Sequence, residues 1–290
     1  MKTGIIFEGG AFRTIFSCGV MDALVENNVM PDYMIGVSAG AAYGVSMASR
    51  QPRRNLDILI KYRNDKRYMG VGNMLDKDNK AIYGLEFSYE TIPNELYLFD
   101  YDAFKAYDGE FYCVVTNILT GKAEYMKYTG EDRTNTVLKA TCALPMLFPP
   151  IIINDIPYMD GGLTDSIPFK KAFEDGCDKV LVILTREAGY TKSTSASTKA
   201  IARAYEKKYP ELSRVMLSRA DRYNECLNEL KEYEESGKVM VIQPKVSKGF
   251  SRLEGDKNKI LSMYNDGYNQ GYDKINAISA FFNNCQTQNP

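Results

Sequence analysis

The sequence predicts an α/β fold, with a central, mainly parallel sheet flanked by helices. Short apolar runs alternate with segments whose apolar residues recur at helical spacing, as at 4–7 and then 12–24. A strand, a turn and a helix follow one another twice within the first fifty residues. Residues 179–185 form a nearly continuous apolar run, which is typical of a strand inside a parallel sheet.

The elements follow in order along the first 186 residues. The first strand ends at a glycine turn, and the second leads into Ser38, after which small residues begin a helix that extends to about Ser49. A helix predicted at 132–142 stops near Pro145, because proline disfavours helical geometry in the residue before it. The predicted strands are 4–7, 31–36, 111–116, 123–128, 151–153, 156–159 and 179–185, and a further helix is expected at 168–175.

After residue 186 the pattern changes to a polar connector, 191–198, followed by long charged helical segments. We therefore divide the chain into an α/β domain at 1–186 and a mainly helical C-terminal region at 187–290. Within the first part, 62–107 is an aromatic-rich insertion or lid candidate. In the second part we expect an amphipathic helix across 212–230, a strand at 239–242 and a last helix from about 256 to 282.

The charge and hydrophobicity of the chain limit which partners and which location we expect. The 36 basic residues nearly cancel the 37 acidic ones, so the overall charge gives no reason to expect nucleic-acid binding. No segment has the length of a signal peptide or of a membrane span, so we expect a cytoplasmic protein, with peripheral membrane contact left open. Oligomeric state also stays open.

No metal or organic cofactor is expected. The chain has no histidine and no C-x-x-C pair, so the usual zinc-binding patterns are missing. The cysteines are far apart in the sequence, and we expect reduced, mostly buried thiols at Cys18, Cys113, Cys142, Cys177, Cys226 and Cys285.

Gly36-Val37-Ser38-Ala39-Gly40 is a G-x-S-x-G motif between a predicted strand and a predicted helix, as in a nucleophile elbow. A serine needs a neighbouring group to take its proton, and here imidazole is excluded because the chain has no histidine. A serine-carboxylate pair remains possible. Because the motif has only three fixed positions, it also occurs by chance, and other features must decide whether Ser38 is catalytic.

The first glycine turn, Glu8-Gly9-Gly10-Ala11-Phe12-Arg13, offers backbone N–H groups that can converge on an anion, as an oxyanion hole requires. A dinucleotide-binding fingerprint is disfavoured, because Ala11 and Thr14 stand where it needs glycine. A purely structural turn is the alternative. For the missing base, the best candidate is Asp160, which follows a short strand and precedes two glycines, although Asp-Gly is also a common turn.

Four motifs in this order resemble the patatin-like phospholipases, a family of acyl hydrolases with a Ser-Asp dyad and a glycine-rich oxyanion loop. They are the glycine turn at 8–13, the G-x-S-x-G segment, Cys142-Ala143-Leu144-Pro145-Met146-Leu147-Phe148-Pro149-Pro150, and Tyr158-Met159-Asp160-Gly161-Gly162-Leu163. The resemblance spans about residues 4–186. It implies a layered patatin-like core and a lipid or acyl-ester substrate.

By this resemblance Ser38 is the nucleophile, Asp160 its base, and Gly9, Gly10, Ala11 and Arg13 form the oxyanion loop. The sequence departs from the family at Ala11 and Thr14, where the family usually has glycine, and a left-handed conformation at Ala11 would be costly. Two alternatives stay open: an acyltransferase that uses the same dyad, and a non-catalytic lipid-binding or scaffold protein.

The aromatic residues of 62–107 allow two interpretations. They could wall a groove for an acyl chain, but for most of them packing in the core is the better expectation. The residues are Tyr62, Tyr68, Tyr83, Phe87, Tyr89, Tyr97, Phe99, Tyr101, Phe104 and Tyr107.

Overall fold

An eight-stranded mixed sheet forms the centre of the protein in the computed structural model, which describes residues 1–283. Its strands are Thr3–Phe7 (β1), Tyr33–Val37 (β2), Glu110–Asn117 (β3), Lys122–Lys127 (β4), Ile151–Ile153 (β5), Ile156–Asp160 (β6), Lys179–Ile183 (β7) and Val239–Ile242 (β8). The order is β5-β6-β3-β2-β1-β7-β8, and β4 pairs with β3. The neighbours from β3 to β8 are parallel, whereas β4, β5 and β6 pair antiparallel. The predicted α/β class is confirmed.

Helices cover both faces of this sheet. They are Ile15–Glu26 (α1), Ala39–Ala48 (α2), Arg54–Tyr62 (α3), Val71–Leu75 (α4), Tyr101–Lys105 (α5), Thr136–Cys142 (α6), Phe169–Glu174 (α7), Ala196–Glu206 (α8), Pro210–Glu235 (α9), Lys257–Asp273 (α10) and Ile275–Asn283 (α11). Short 3-10 turns at Ala11–Thr14 and Gly161–Leu163 follow β1 and β6, and Phe87–Leu96 is a π-type helix.

Two predicted helices have different bounds. The last helix is interrupted at Lys274, which separates α10 from α11. The helix expected from 132 begins only at Thr136, because Asn135 adopts a left-handed conformation with φ of 53°. The carboxylate of Asp132 accepts the N–H groups of Thr134 and Thr136 and so forms a turn before the helix.

Successive side chains of β1 point to opposite faces of the sheet and belong to two hydrophobic layers. Ile5 and Phe7 pack on one face with residues of α1 and α10, and Ile6 packs on the other face with residues of α7 and α9. Because every residue of β1 is buried, the strand is covered on both sides, as expected at the centre of a parallel sheet.

The segment after residue 186 contributes to the same layers. β8 adds a parallel strand beside β7, and α10 packs along α1. A division of the chain at 186/187 stays a prediction. Among residues 1–283, no helix has both the length and the apolar character needed to cross a membrane.

Two glycines allow α1 and α10 to approach closely. A Cβ at Gly267 would lie 1.9 Å from the carbonyl oxygen of Phe16, and a Cβ at Gly19 would lie 2.1 Å from that of Tyr264. We expect Gly267→Ala to lower the free energy of unfolding by about 1–3 kcal/mol, because the helices must separate to accommodate a methyl group. Urea unfolding followed by circular dichroism measures this change.

The matched control is Gly72→Ala in α4, where a Cβ would have no neighbour within 4 Å. We expect this variant to unfold like the unmodified protein, within about 0.5 kcal/mol. Equal stability of the two variants would show that the helix crossing tolerates a methyl group, contrary to the expectation.

Candidate functional site

Ser38 and Asp160 are brought together by two strands that meet end to end along β3. β2 runs parallel to β3, and its last residue, Val37, is opposite Val114. β6 arrives antiparallel, with Asp160 opposite the next residue, Val115. Because β4 pairs with the other edge of β3 here, β2 and β6 share one edge and their C-terminal ends face each other. The two predicted catalytic residues therefore lie together.

Ser38 occupies a sharp turn between β2 and α2. Its backbone has φ of 55° and ψ of −130°, a conformation that costs free energy for a residue with a side chain. The Ser38 N–H donates to the hydroxyl of Thr141 over 2.9 Å, and this hydroxyl donates to the Val114 carbonyl over 2.6 Å. The neighbouring strand and α6 thus hold the strained turn in place.

Glycines before and after Ser38 let this turn pack closely. A Cβ at Gly36 would lie 2.4 Å from the Cα of Ala41, and one at Gly40 would lie 2.3 Å from the carbonyl oxygen of Phe7. Either side chain would push α2 away from β1 or β2. The two elbow glycines named from the motif therefore have a packing reason in the fold.

The glycine turn after β1 lies directly against the elbow. A Cβ at Gly9 would be 2.6 Å from the carbonyl oxygen of Val37 and 2.7 Å from the Cβ of Ser38. Ala11 has φ of 50°, so it adopts the left-handed conformation that is costly for alanine. Within residues 1–283, the N–H groups of Gly10 and Ala11 donate to no protein acceptor. They are available to a ligand beside Ser38.

The Glu8 carboxylate fixes the start of this turn. One oxygen accepts the N–H and the hydroxyl of Thr185 over 2.6 and 2.9 Å, and the other accepts the hydroxyl of Tyr223 over 2.7 Å. These bonds join β1 to the end of β7 and to α9. No local spacing in the sequence indicated this buried network.

Asp160 is buried, with 2% of its surface exposed. Its Oδ1 accepts the Gly162 N–H over 2.8 Å, whereas no partner within residues 1–283 reaches its Oδ2. Burial raises the pKa of this carboxyl group, and the Arg219 charge and the Ser38 hydroxyl oppose the rise. The Ser38 hydroxyl is thus near enough to affect the pKa of Asp160. Within residues 1–283, no hydrogen bond of standard geometry joins the two side chains.

Helix α9 holds the turn that follows Asp160. The Arg219 guanidinium donates to the Gly162 carbonyl, and the Arg222 guanidinium donates to the Leu163 carbonyl over 2.6 Å. The sequence pattern predicted only an amphipathic helix here and gave its polar residues no role at the site. The two arginines instead position the turn that carries the carboxylate.

A polar cavity of about 570 Å³, including its open mouth, is lined by Ser38. Besides Ser38, Asp160 and the glycine turn, it is lined by five cationic side chains, and only Glu8 and Asp160 bring negative charge. We call this cavity the cationic pocket. Its cationic residues are Arg13, Arg186, Lys192, Arg219 and Arg252.

A second, apolar cavity of about 1270 Å³, including its open mouth, is also lined by Ser38 and shares Arg252 with the cationic pocket. Four aromatic residues of 62–107 line it, so the segment does wall a groove. Others from the same segment, such as Tyr62 and Phe104, are buried in the core, as expected for most of them. The four lining residues are Tyr68, Tyr83, Tyr89 and Phe99.

Five of the cysteines lie in the described part of the chain, and none of these forms a disulfide there. Four are buried, and Cys226 is partly buried. Cys142 lines the apolar cavity close to Ser38, and burial raises the pKa of its thiol to about 12. The sixth, Cys285, lies outside the described residues.

Comparison with known proteins gives two family matches. The model of the patatin-like phospholipase family matches residues 5–173, which include the elbow, the glycine turn and Asp160. A domain of unknown function (DUF6363) matches residues 209–283, which contain α9, β8, α10 and α11.

Individual relatives share about a quarter of the aligned residues with this chain. The uncharacterized protein YjjU of Escherichia coli is 26% identical over 194 residues, which are 63% of this chain and 52% of YjjU. The lysophospholipase nte1 of Aspergillus niger is 26% identical over 191 residues, 63% of this chain but only 12% of nte1. The chain therefore spans about half of one relative and a small part of the other. The solved structure of VipD from Legionella pneumophila covers 95% of this chain and 67% of VipD, with 15% identity and a TM-score of 0.47.

Proposed function

Because the chain belongs to the patatin-like phospholipase family, we propose that it hydrolyses carboxylic esters of lipids, with Ser38 as nucleophile and Asp160 as general base. The end-to-end meeting of β2 and β6 carries this proposal. It places a strained serine beside a buried carboxylate whose Oδ2 has no partner within residues 1–283. A free carboxylate oxygen is what a base needs to accept a proton from the serine.

In the acylation step, Asp160 takes the hydroxyl proton of Ser38 while Oγ attacks the ester carbonyl carbon. The carbonyl oxygen becomes negatively charged, and the free N–H groups of Gly10 and Ala11 stabilise it. When the tetrahedral intermediate collapses, the bond to the alkoxy oxygen breaks. The leaving alcohol receives the proton from Asp160, and the acyl group remains on Ser38.

In the deacylation step, Asp160 takes a proton from water, and the resulting hydroxide attacks the acyl carbonyl. Collapse of the second tetrahedral intermediate breaks the bond to Oγ and releases the fatty acid. Ser38 recovers its proton from Asp160, so the dyad returns to its starting state. No step requires imidazole, and the chain contains none.

We assign the two ends of the substrate to the two cavities. The apolar cavity is lined mainly by aromatic and aliphatic side chains and suits an acyl chain, since burying apolar surface drives binding. The polar leaving group then extends into the cationic pocket. Phospholipase A and lysophospholipase activities both fit this arrangement, and substrate profiling distinguishes them.

A fluorophosphonate probe tests the proposal directly. We expect stoichiometric labelling of Ser38, because a serine beside a base and oxyanion donors attacks phosphorus as it attacks a carbonyl. Mass spectrometry locates the adduct, and Ser38→Ala should abolish it. Ser166 is an internal comparison, because its hydroxyl lines the same cavity but is bonded to the Gly162 carbonyl.

Labelling at Ser166, or none in folded protein, would contradict the nucleophile assignment. The second outcome favours a lipid-binding protein that keeps the fold without catalysis. If Ser38 is labelled, product analysis with an added alcohol acceptor separates hydrolysis from acyl transfer. A transferred acyl group would favour the acyltransferase.

A further inference from the structure

We propose that the cationic pocket binds the phosphate of an anionic lipid headgroup and selects against a choline headgroup. This inference rests on the proposed hydrolysis at Ser38, because it identifies the group that leaves with the alcohol. Three features of the pocket support it. Its basic side chains form no ion pairs within residues 1–283, its carboxylate oxygens are already engaged by the protein or by the proposed mechanism, and basic side chains lie over its aromatic rings.

The cations of the pocket have no carboxylate partners. Among residues 1–283, no ion pair includes any of the five cationic side chains. Arg13 is the clearest case, since it is 7% exposed and its Nε is buried without a hydrogen-bond partner in that range. A buried guanidinium without an acceptor is unfavourable. A ligand phosphate would supply several acceptor oxygens.

The two carboxylates of the pocket are not available to a ligand cation. Both oxygens of Glu8 accept protein hydrogen bonds, from Thr185 and Tyr223. Asp160 accepts the Gly162 N–H through Oδ1, and the proposed mechanism uses Oδ2 for the proton of Ser38. A positively charged headgroup would therefore meet four guanidinium groups, and Lys192 when it is protonated, while neither carboxylate has an oxygen free to bind it.

The aromatic rings of the pocket are also covered. The Arg186 guanidinium lies over the Tyr190 ring at 4.3 Å, and the Lys192 ammonium lies over the Tyr223 ring at 3.5 Å. A quaternary ammonium such as choline binds to open aromatic faces. Here the protein's own basic side chains already occupy one face of each ring, and their positive charge disfavours a quaternary ammonium beside them.

Lys192 provides a signature of anion binding. Burial and the Arg219 charge lower the pKa of its ammonium to about 7, and Arg252 and Arg13 act in the same direction against Glu8. A bound phosphate would favour the charged form and raise this pKa. At about pH 8.5, where Lys192 is mostly neutral and inorganic phosphate is already mostly a dianion, phosphate binding should therefore be accompanied by proton uptake.

The test compares two lysolipids with the same acyl chain, one a glycerol phosphate monoester and the other a glycerophosphocholine, both below their critical micelle concentrations. We expect kcat/KM to be at least about tenfold higher for the anionic lipid, because charge-assisted hydrogen bonds hold its phosphate. Arg252→Gln should reduce this ratio several-fold. The control is Arg203→Gln on the exposed face of α8, which should leave the ratio unchanged.

Equal rates on the two lipids, or a preference for choline, would overturn the inference. If the unmodified protein hydrolyses neither lysolipid, direct calorimetric binding of the same lipids to it decides the inference, and labelling of Ser38 by the fluorophosphonate probe decides the proposed function separately. Tighter binding of the anionic lipid would then support the pocket assignment, and equal binding would overturn it.

Inorganic phosphate is the probe that separates a headgroup site from a site for the free ion. Titration into the protein in two buffers of different ionisation enthalpy measures binding and proton uptake together. Phosphate that binds with proton uptake and inhibits hydrolysis of the anionic lipid competitively supports a headgroup site. Phosphate that binds without inhibiting it would show a site for the free ion and overturn the inference.

Discussion

Replacing Asp160 by asparagine is expected to lower kcat for lipid ester hydrolysis by about 10³- to 10⁴-fold, because the variant has no base to accept the proton of Ser38. The asparagine amide keeps the size of the carboxylate, and its oxygen can still accept the Gly162 N–H. Steady-state hydrolysis of a soluble ester measures the loss. Asp165→Asn is the matched control, since that carboxylate is partly buried nearby but lines neither cavity.

We expect Asp160→Asn to be at least as stable as the unmodified protein. Burial raises the pKa of Asp160 above its ordinary value of 3.8, so the folded protein binds this proton more tightly than the unfolded chain does. The resulting stabilisation is complete below that ordinary value and is lost as pH rises through the raised pKa. At neutral pH the charged carboxylate is therefore a cost that asparagine avoids, and we expect Tm of Asp160→Asn to equal or exceed that of the unmodified protein.

The same pKa sets the pH profile. In the unmodified protein, kcat should fall as pH falls through the raised pKa of Asp160, because protonation removes the base. No inflection from imidazole should occur, since the chain has no histidine. Near-normal activity of Asp160→Asn in folded protein would contradict the base assignment.

Replacing Gly9 by alanine is expected to lower kcat by about 10²- to 10³-fold, the usual effect of losing an oxyanion donor. Its Cβ would lie 2.6 Å from the Val37 carbonyl and 2.7 Å from the Cβ of Ser38, so the glycine turn must move away from the elbow. The donors at Gly10 and Ala11 would move with it. KM should change less than kcat, because the charge that they stabilise develops only in the transition state.

The control for this experiment is Gly255→Ala, where a Cβ would have no neighbour within 4 Å. We expect that variant to hydrolyse esters at the normal rate. Circular dichroism and thermal unfolding establish that Gly9→Ala is folded before kinetics are compared. A folded Gly9→Ala protein with normal kcat would show that the turn does not stabilise the oxyanion.

The elements that could be predicted from the sequence are those with a local signal. Apolar periodicity identified β1, β2 and β7, because a strand buried on both faces needs a continuous apolar run. It failed at Asp132 to Asn135, where a side-chain turn competes with the helix. The break at Lys274 was also missed, because the pattern of apolar residues continues across it.

The residues of the site likewise divide into those with a local sequence signal and those without one. The glycine turn and the elbow are short motifs with readable spacing, so the amino-acid sequence is enough to identify both. Arg219 and Arg222 were missed because they act on Gly162 and Leu163 across a large separation in sequence. Glu8 was noted only as the first residue of the turn, and its bond to Tyr223 has no sequence signature.

By itself, the sequence determined that any activated serine here works without imidazole, because a chain with no histidine has no such base. It also determined which glycines stand next to Ser38. The sequence named Asp160 as the candidate base, and only the tertiary structure decided that this carboxylate lies beside the serine and which cations face it. The reason is that pKa values and charge interactions depend on burial and distance, and both arise when remote segments pack together.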